Sequence, residues 1–143
     1  MRGAKGQKTM WMEELSSEPR ACLYHNFLSK KEFSHLIALA KPHMTRSRVV
    51  DVNAVGGKES SSDVREGGEA VFPLAKAIMS SSSNGGAKNG ISVKPKMGDA
   101  LLFWSMKPDG SRDPKSQHGA NPVVKGSKWS ATKWLHVREY KTY

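Results

Sequence analysis

The stretch at residues 98–140 constrains the fold most. It reads GDALLFWSMKPDGSRDPKSQHGANPVVKGSKWSATKWLHVREY and holds three of the chain's four tryptophans. Ala100, Leu101, Leu102, Phe103 and Trp104 follow one another without a polar residue, the pattern of a strand covered on both faces. A polar loop runs over 107–117, Pro122, Val123 and Val124 begin another strand, and Lys125, Gly126 and Ser127 make a turn. Residues 128–138 predict a long last strand. Period-2 alternation puts Lys128, Ser130, Thr132, Trp134 and His136 on one of its faces, and Trp129, Ala131, Lys133, Leu135 and Val137 on the other.

The rest of the chain reads as a wrapping for this piece. Residues 1–10 are polar and predict a disordered N-terminus, with a single domain over 11–143. Residues 11–17 could supply a short element, and Ala21, Cys22, Leu23 and Tyr24 read as a strand. Ser29 and Glu32 form a capping box, after which Phe33, Leu36, Ile37 and Ala40 recur at helical spacing, and Pro42 stops the helix. The helix is expected to be a packing element. Residues 45–52 read as a strand, 53–63 as loop, 76–89 as a second Ser/Asn/Gly-rich loop, and Ile91, Ser92 and Val93 as a strand ending before Pro95. The fold class is therefore mainly β with an N-terminal helix, a sandwich or barrel of short antiparallel strands.

Leu, Ile, Val and Phe together supply 26 of 143 residues. That is below the roughly 20% expected of a well-filled interior, so the core should be thin. The net charge of +10, from 23 Lys+Arg against 13 Asp+Glu, favours anionic partners. The basic residues are dispersed, however, and no zinc-finger spacing, basic zipper or aromatic RNA-binding strand accompanies them, so no specific nucleic-acid partner is expected. One cysteine, Cys22, excludes an intramolecular disulfide. No apolar run resembles a signal peptide or a membrane anchor, and no membrane segment is expected in this chain.

Of the five histidines, His25, His35 and His43 read as structural or solvated, while His118 lies in a Gly-containing loop before the strand that carries Lys128 and His136. The segments EGGEAVFP, GDALLFWSMKPDG, HGANPV, GSKWSATKW and HVREY, with EPRACLYHNFLSKKEF and LIALAKPHM nearer the N-terminus, closely resemble the plant-type prolyl 4-hydroxylases. These are 2-oxoglutarate- and Fe(II)-dependent dioxygenases of the double-stranded β-helix (jelly-roll) class. By that resemblance His118 is similar to the distal histidine of a 2-His-1-carboxylate iron triad. Lys128 looks like the lysine that pairs with the distal carboxylate of 2-oxoglutarate, a compact point charge suited to a small dianion. Trp134 and His136 match positions lining the peptide-substrate groove, and Arg65 resembles the arginine of the family's substrate loop. The implied cofactors are Fe(II), 2-oxoglutarate and ascorbate. The implied partner is a proline-containing peptide or cell-wall-type glycoprotein, and the implied location is the ER or Golgi.

One departure from the family pattern limits the iron chemistry this chain can support. The family's other two iron ligands form a His-x-Asp pair, yet the residues two beyond each histidine here are Phe27, Ile37, Thr45, Ala120 and Arg138. The pair belongs between the substrate loop and the EGGE segment, where Arg65 is followed at once by Glu66. A block with several core strands is thus expected to be absent at about 65/66, leaving an incomplete jelly-roll. Whether the chain is an enzyme stays open: loss of two of three iron ligands implies impaired catalysis. The alternatives are a non-catalytic module for Pro-rich peptides and an inert splice or gene-model fragment. A second, smaller departure is Asn121, which stands where the family often has Cys.

Overall fold

A computed structural model describes residues 9–44, 66–78 and 90–136. The chain opens with a hairpin of β1 (Trp11–Glu18) and β2 (Arg20–His25), turning at Pro19. The helix α1 (Lys30–Ala40) follows, then β3 (Glu66–Gly67), β4 (Ala70–Phe72), β5 (Lys76–Ala77), β6 (Ile91–Val93), β7 (Ala100–Phe103), β8 (Gly119–Ala120) and β9 (Val123–Lys125). All pairings among the described residues are antiparallel. They give a four-stranded sheet in the order β5-β1-β2-β7, a three-stranded sheet β6-β4-β8 and the two-stranded β3-β9. The molecule is thus mainly β with one helix near the N-terminus, a partial jelly-roll, and its described strands do not close into a barrel. Among the described residues no helix is long and apolar enough to cross a membrane.

The core is thin, as composition requires. Among the described residues, Leu15, Ala21, Cys22, Phe72, Ala75 and Val93 are its buried apolar side chains. A register shift between Glu14 and Ser16 lets Leu15 and Ser16 both turn inward, which strict alternation would forbid. The sheets meet where Phe72 of β4 packs edge-on against Phe103 of β7, ring centroids 5.0 Å apart. Two glycines permit close backbone approach. Gly98 (φ +85°) accepts the Leu28 N–H at 2.9 Å, and a Cβ there would lie 2.4 Å from the Leu28 carbonyl oxygen. Gly67 (φ +78°) lies against Pro122 and Val124 in the β3-β9 pair.

The capping box forms as its sequence dictates: Glu32 N–H donates to Ser29 Oγ at 3.3 Å and Ser29 N–H to Glu32 Oε2 at 2.8 Å. The Ser29 backbone N–H first, and then the Ser29 hydroxyl, which also donates to Glu32 Oε2 at 2.8 Å, hold the Glu32 carboxyl below its ordinary range. A single 3-10 turn, Lys41–His43, carries Pro42 and ends the helical segment.

Four expectations need correction. The helix is not a packed element: none of its residues is buried and Leu36 and Leu39 are exposed, because among the described residues no layer covers its apolar face. The strand at 100–103 is half-buried rather than enclosed, since among the described residues it forms the edge of its sheet and pairs with β2 alone. The loop expected from residue 76 begins with a short strand, β5, paired to β1. Residues 128–136 form no strand, because no described strand offers their backbone a hydrogen-bonding ladder. Trp134 and Leu135, assigned to opposite faces, are 67% and 74% exposed. The strand expected at 45–52, the loops over 53–63 and 79–89, and Arg65 lie outside the described residues.

Candidate functional site

His118 sits at the seam between the two larger sheets. It immediately precedes β8, whose Gly119 pairs with Val71 of β4, and this registers the ring against the neighbouring Phe72. The imidazole stacks on Phe72 (centroids 5.2 Å apart, planes 26° apart) and meets Phe103 edge-on at 4.7 Å. Its Nδ1 lies 2.9 Å from the Ser116 carbonyl oxygen. A carbonyl can only accept, so Nδ1 carries the hydrogen and Nε2 of the neutral ring keeps its lone pair. His118 is otherwise exposed, and Nε2 is the nitrogen available to a ligand.

Lys128 is tied to the turn that leads into β4. Its Nζ donates to the Gly68 carbonyl at 2.8 Å. Gly68 and Phe72 are four residues apart, at most about 14 Å along an extended backbone. The local frame is held by Gly68 N–H to Pro122 O (2.9 Å), Asn121 N–H to Glu69 O (2.8 Å) and Asn121 Nδ2 to Glu69 Oε2 (3.2 Å). Asn121 thus has a polar role of its own where the family often has Cys. The Glu69 carboxyl is held below its ordinary range, first by its own backbone N–H, then by Asn121, with Lys94 and Lys128 adding attraction. The sequence-expected histidine and lysine therefore flank one strand and its leading turn. Trp134 and His136 belong to the irregular segment beyond Lys128 and are exposed.

Fe(II) requires convergent donors. Among the described residues, no three His, Cys, Asp or Glu side chains are grouped to hold a metal. His118 alone does not fit a facial triad. A second histidine with two carboxylates does occur: His25 Nδ1 lies 2.9 Å from Asp99 Oδ2 and Nε2 lies 3.0 Å from Glu13 Oε2. Those carboxylates stand on opposite edges of the ring and do not converge on one point. Trp11 stacks over His25 at 3.9 Å. Sequence patterning missed this cluster because its members are 12 and 74 residues apart, with no local signature. It borders a cavity of about 290 Å³ that also touches Leu15, Val93, Lys94 and Lys96 but neither His118 nor Lys128. A shallower recess of about 480 Å³ lies beside the turn before His118, against Met106, Arg112, Asp113, Pro114 and Gln117.

The sequence profile of the 2OG-Fe(II) oxygenase superfamily matches residues 33–136. "Probable prolyl 4-hydroxylase 3" of Arabidopsis thaliana is 37% identical over 220 aligned positions, covering 97% of this chain and 76% of the relative. "Probable prolyl 4-hydroxylase 10" of the same plant is 37% identical, covering 92% and 73%. "Prolyl 4-hydroxylase 5", also from Arabidopsis thaliana, is 35% identical, covering 96% and 75%. With its own strands, helix and His118 loop arranged as described, the chain belongs to the plant-type prolyl 4-hydroxylases of the 2-oxoglutarate/Fe(II) oxygenase superfamily.

Proposed function

We propose that this chain is a prolyl 4-hydroxylase-family member that keeps one wall of the active site and does not itself turn over. The family reaction is 4-hydroxylation of peptidyl proline coupled to decarboxylation of 2-oxoglutarate, with ascorbate keeping the iron reduced. The observation that carries the proposal is the donor set. His118 is well placed to give one nitrogen to a metal, but no histidine in the chain is followed two residues later by a carboxylate. Changes outside the ligand set already cost about 10–100-fold in metal affinity or activity, and loss of two ligands costs more. The aligned length supports the loss of a block: 220 positions set against 143 residues leave at least 77 positions without a residue of this chain, and the Arg65–Glu66 junction, where the His-x-Asp strand would stand, is the place we assign to it.

What the remaining residues can do is bind and orient. Lys128 supplies a positive charge beside the Gly68–Glu69 turn, suited to one carboxylate of 2-oxoglutarate once a ligand competes with the Gly68 carbonyl. The open indole of Trp134 favours a second role, weak capture of extended proline-rich peptide, whose preformed conformation lowers the entropy cost of binding. The deciding assay is 2-oxoglutarate decarboxylation with Fe(II), ascorbate and a Pro-rich peptide. Succinate at the level of a protein-free control is expected. Turnover that disappears in His118→Ala overturns the proposal. Titration with poly-proline, followed by Trp fluorescence, separates the peptide module from an inert fragment, for which no saturable change occurs.

A further inference from the structure

The aim of His118 is set by a short device in the loop before it. The 3-10 turn Pro114–Ser116 is capped by Asp113, whose Oδ1 accepts the Lys115 N–H at 2.9 Å. The Asp113 carbonyl accepts both the Ser116 N–H (3.0 Å) and the Ser116 hydroxyl (2.7 Å). Asp113 N–H in turn donates to the Ser105 carbonyl at 2.9 Å, which moors the turn two residues past the end of β7. The backbone of Asp113 thus ties the turn to Ser105 and to Ser116, its carboxylate closes the turn at the Lys115 N–H, and the carbonyl of the Ser116 so held receives His118 Nδ1. Phe72 and Phe103 fix the plane of the ring from two sides.

From this geometry we infer that Asp113 is a positioning residue: through the 114–116 turn it holds His118 in the Nδ1–H tautomer with the Nε2 lone pair directed outward. The arrangement needs neither a metal nor the other two ligands. The inference rests on His118 as the surviving ligand position of the proposed function. Its test reads the ring itself and is independent of turnover, so the two can fail separately.

The test uses the uniformly 15N-labelled chain and long-range 1H–15N correlation of the His118 ring at alkaline pH, where imidazoles are neutral. The wild type is expected to show the Nδ1–H tautomer as the major species. Asp113→Ala should lower the ratio of Nδ1–H to Nε2–H by about fivefold, the worth of one ordinary hydrogen bond. The His25 signals should stay in place, showing an intact sheet. Asp113→Asn, which keeps an oxygen for the Lys115 N–H, should restore the wild-type tautomer. If Asp113→Ala does not fold, Ser116→Ala, which removes the hydroxyl bond to the Asp113 carbonyl, must lower the same ratio. An Nε2–H wild type, an unchanged ratio in the folded variant, or equal losses in Asp113→Ala and Asp113→Asn overturns the assignment.

Discussion

Among the described residues Asp99 should be worth more to this fold than any other single carboxylate, and Asp99→Ala measures it. The side chain is 7% exposed and satisfies two donors at once: His25 Nδ1 at 2.9 Å through Oδ2, and the Asn26 N–H at 3.1 Å through Oδ1. It lies beside Gly98, so both residues pin the 96–99 turn onto the chain between β2 and the helix. Each hydrogen bond to a charged group is worth about 1.5–3 kcal/mol, and truncation also leaves the half-buried His25 ring facing an empty side. Water can reach His25, which is 12% exposed, so the lower part of the summed range applies and the expected loss is about 3 kcal/mol. With a urea m-value of about 2 kcal/mol/M, the unfolding midpoint should fall by about 1.5 M. Asp99→Asn keeps an oxygen for Asn26 and should lose about half as much. A double-mutant cycle with His25→Ala should show coupling of about 1–2 kcal/mol between the two side chains. A midpoint shift under about 0.3 M for Asp99→Ala, or no coupling, would mean that the cluster is a surface ion pair of little consequence.

Two further outcomes are set by local geometry. Gly67→Ala should destabilise more than Gly110→Ala in thermal melts: both glycines have positive φ and share a backbone penalty of about 1–2 kcal/mol, but a Cβ at Gly67 meets Pro122 O at 2.3 Å and Val124 N at 2.9 Å, whereas nothing lies within 4 Å at Gly110. Equal losses would refute the close contact of β3 with β9. Glu18 is hydrogen-bonded to Lys115 and Lys76, which hold its carboxyl below the ordinary value of 4.5, so the stability it contributes is present above that value and is lost as pH falls through the lower folded one. Urea midpoints compared at about pH 6 and pH 3 should therefore fall less steeply in Glu18→Gln than in wild type.

Local chemistry was legible in the sequence wherever a few neighbouring residues decide the outcome. Ser29 and Glu32 specify a helix start by bonding to each other's backbone, and Pro42 limits its end. The strands at 20–25, 91–93 and 123–125 stand where β-branched and apolar residues cluster between turn residues. The family resemblance pointed to His118 and Lys128, but not to what aims them. The Ser116 carbonyl and the Gly68 carbonyl are backbone atoms without a residue signature, so no pattern of side chains could reveal them. The Glu13–His25–Asp99 cluster escaped for a related reason, since it exists only after β1 and β2 pair and β7 docks beside them.

The two expectations that failed most clearly share one physical cause. The apolar run at 100–103 and the alternating run at 128–138 both carry patterns suited to strands with neighbours, and burial or regular structure comes from the neighbour and not from the pattern. β7 pairs with β2 and is half-buried; residues 128–136 join none of the described sheets and are irregular. This difference also divides the site. Among the described residues His118 is aimed by Phe72 of β4, Phe103 of β7 and the Ser116 carbonyl in the turn between β7 and β8. Trp134 and His136 would share a face with Lys128 only if that segment were paired, so the groove they were expected to line depends on a strand opposite them. A partner strand restored beside 128–138 should therefore bury Trp134 and leave His118 as it is, since each rests on different neighbours.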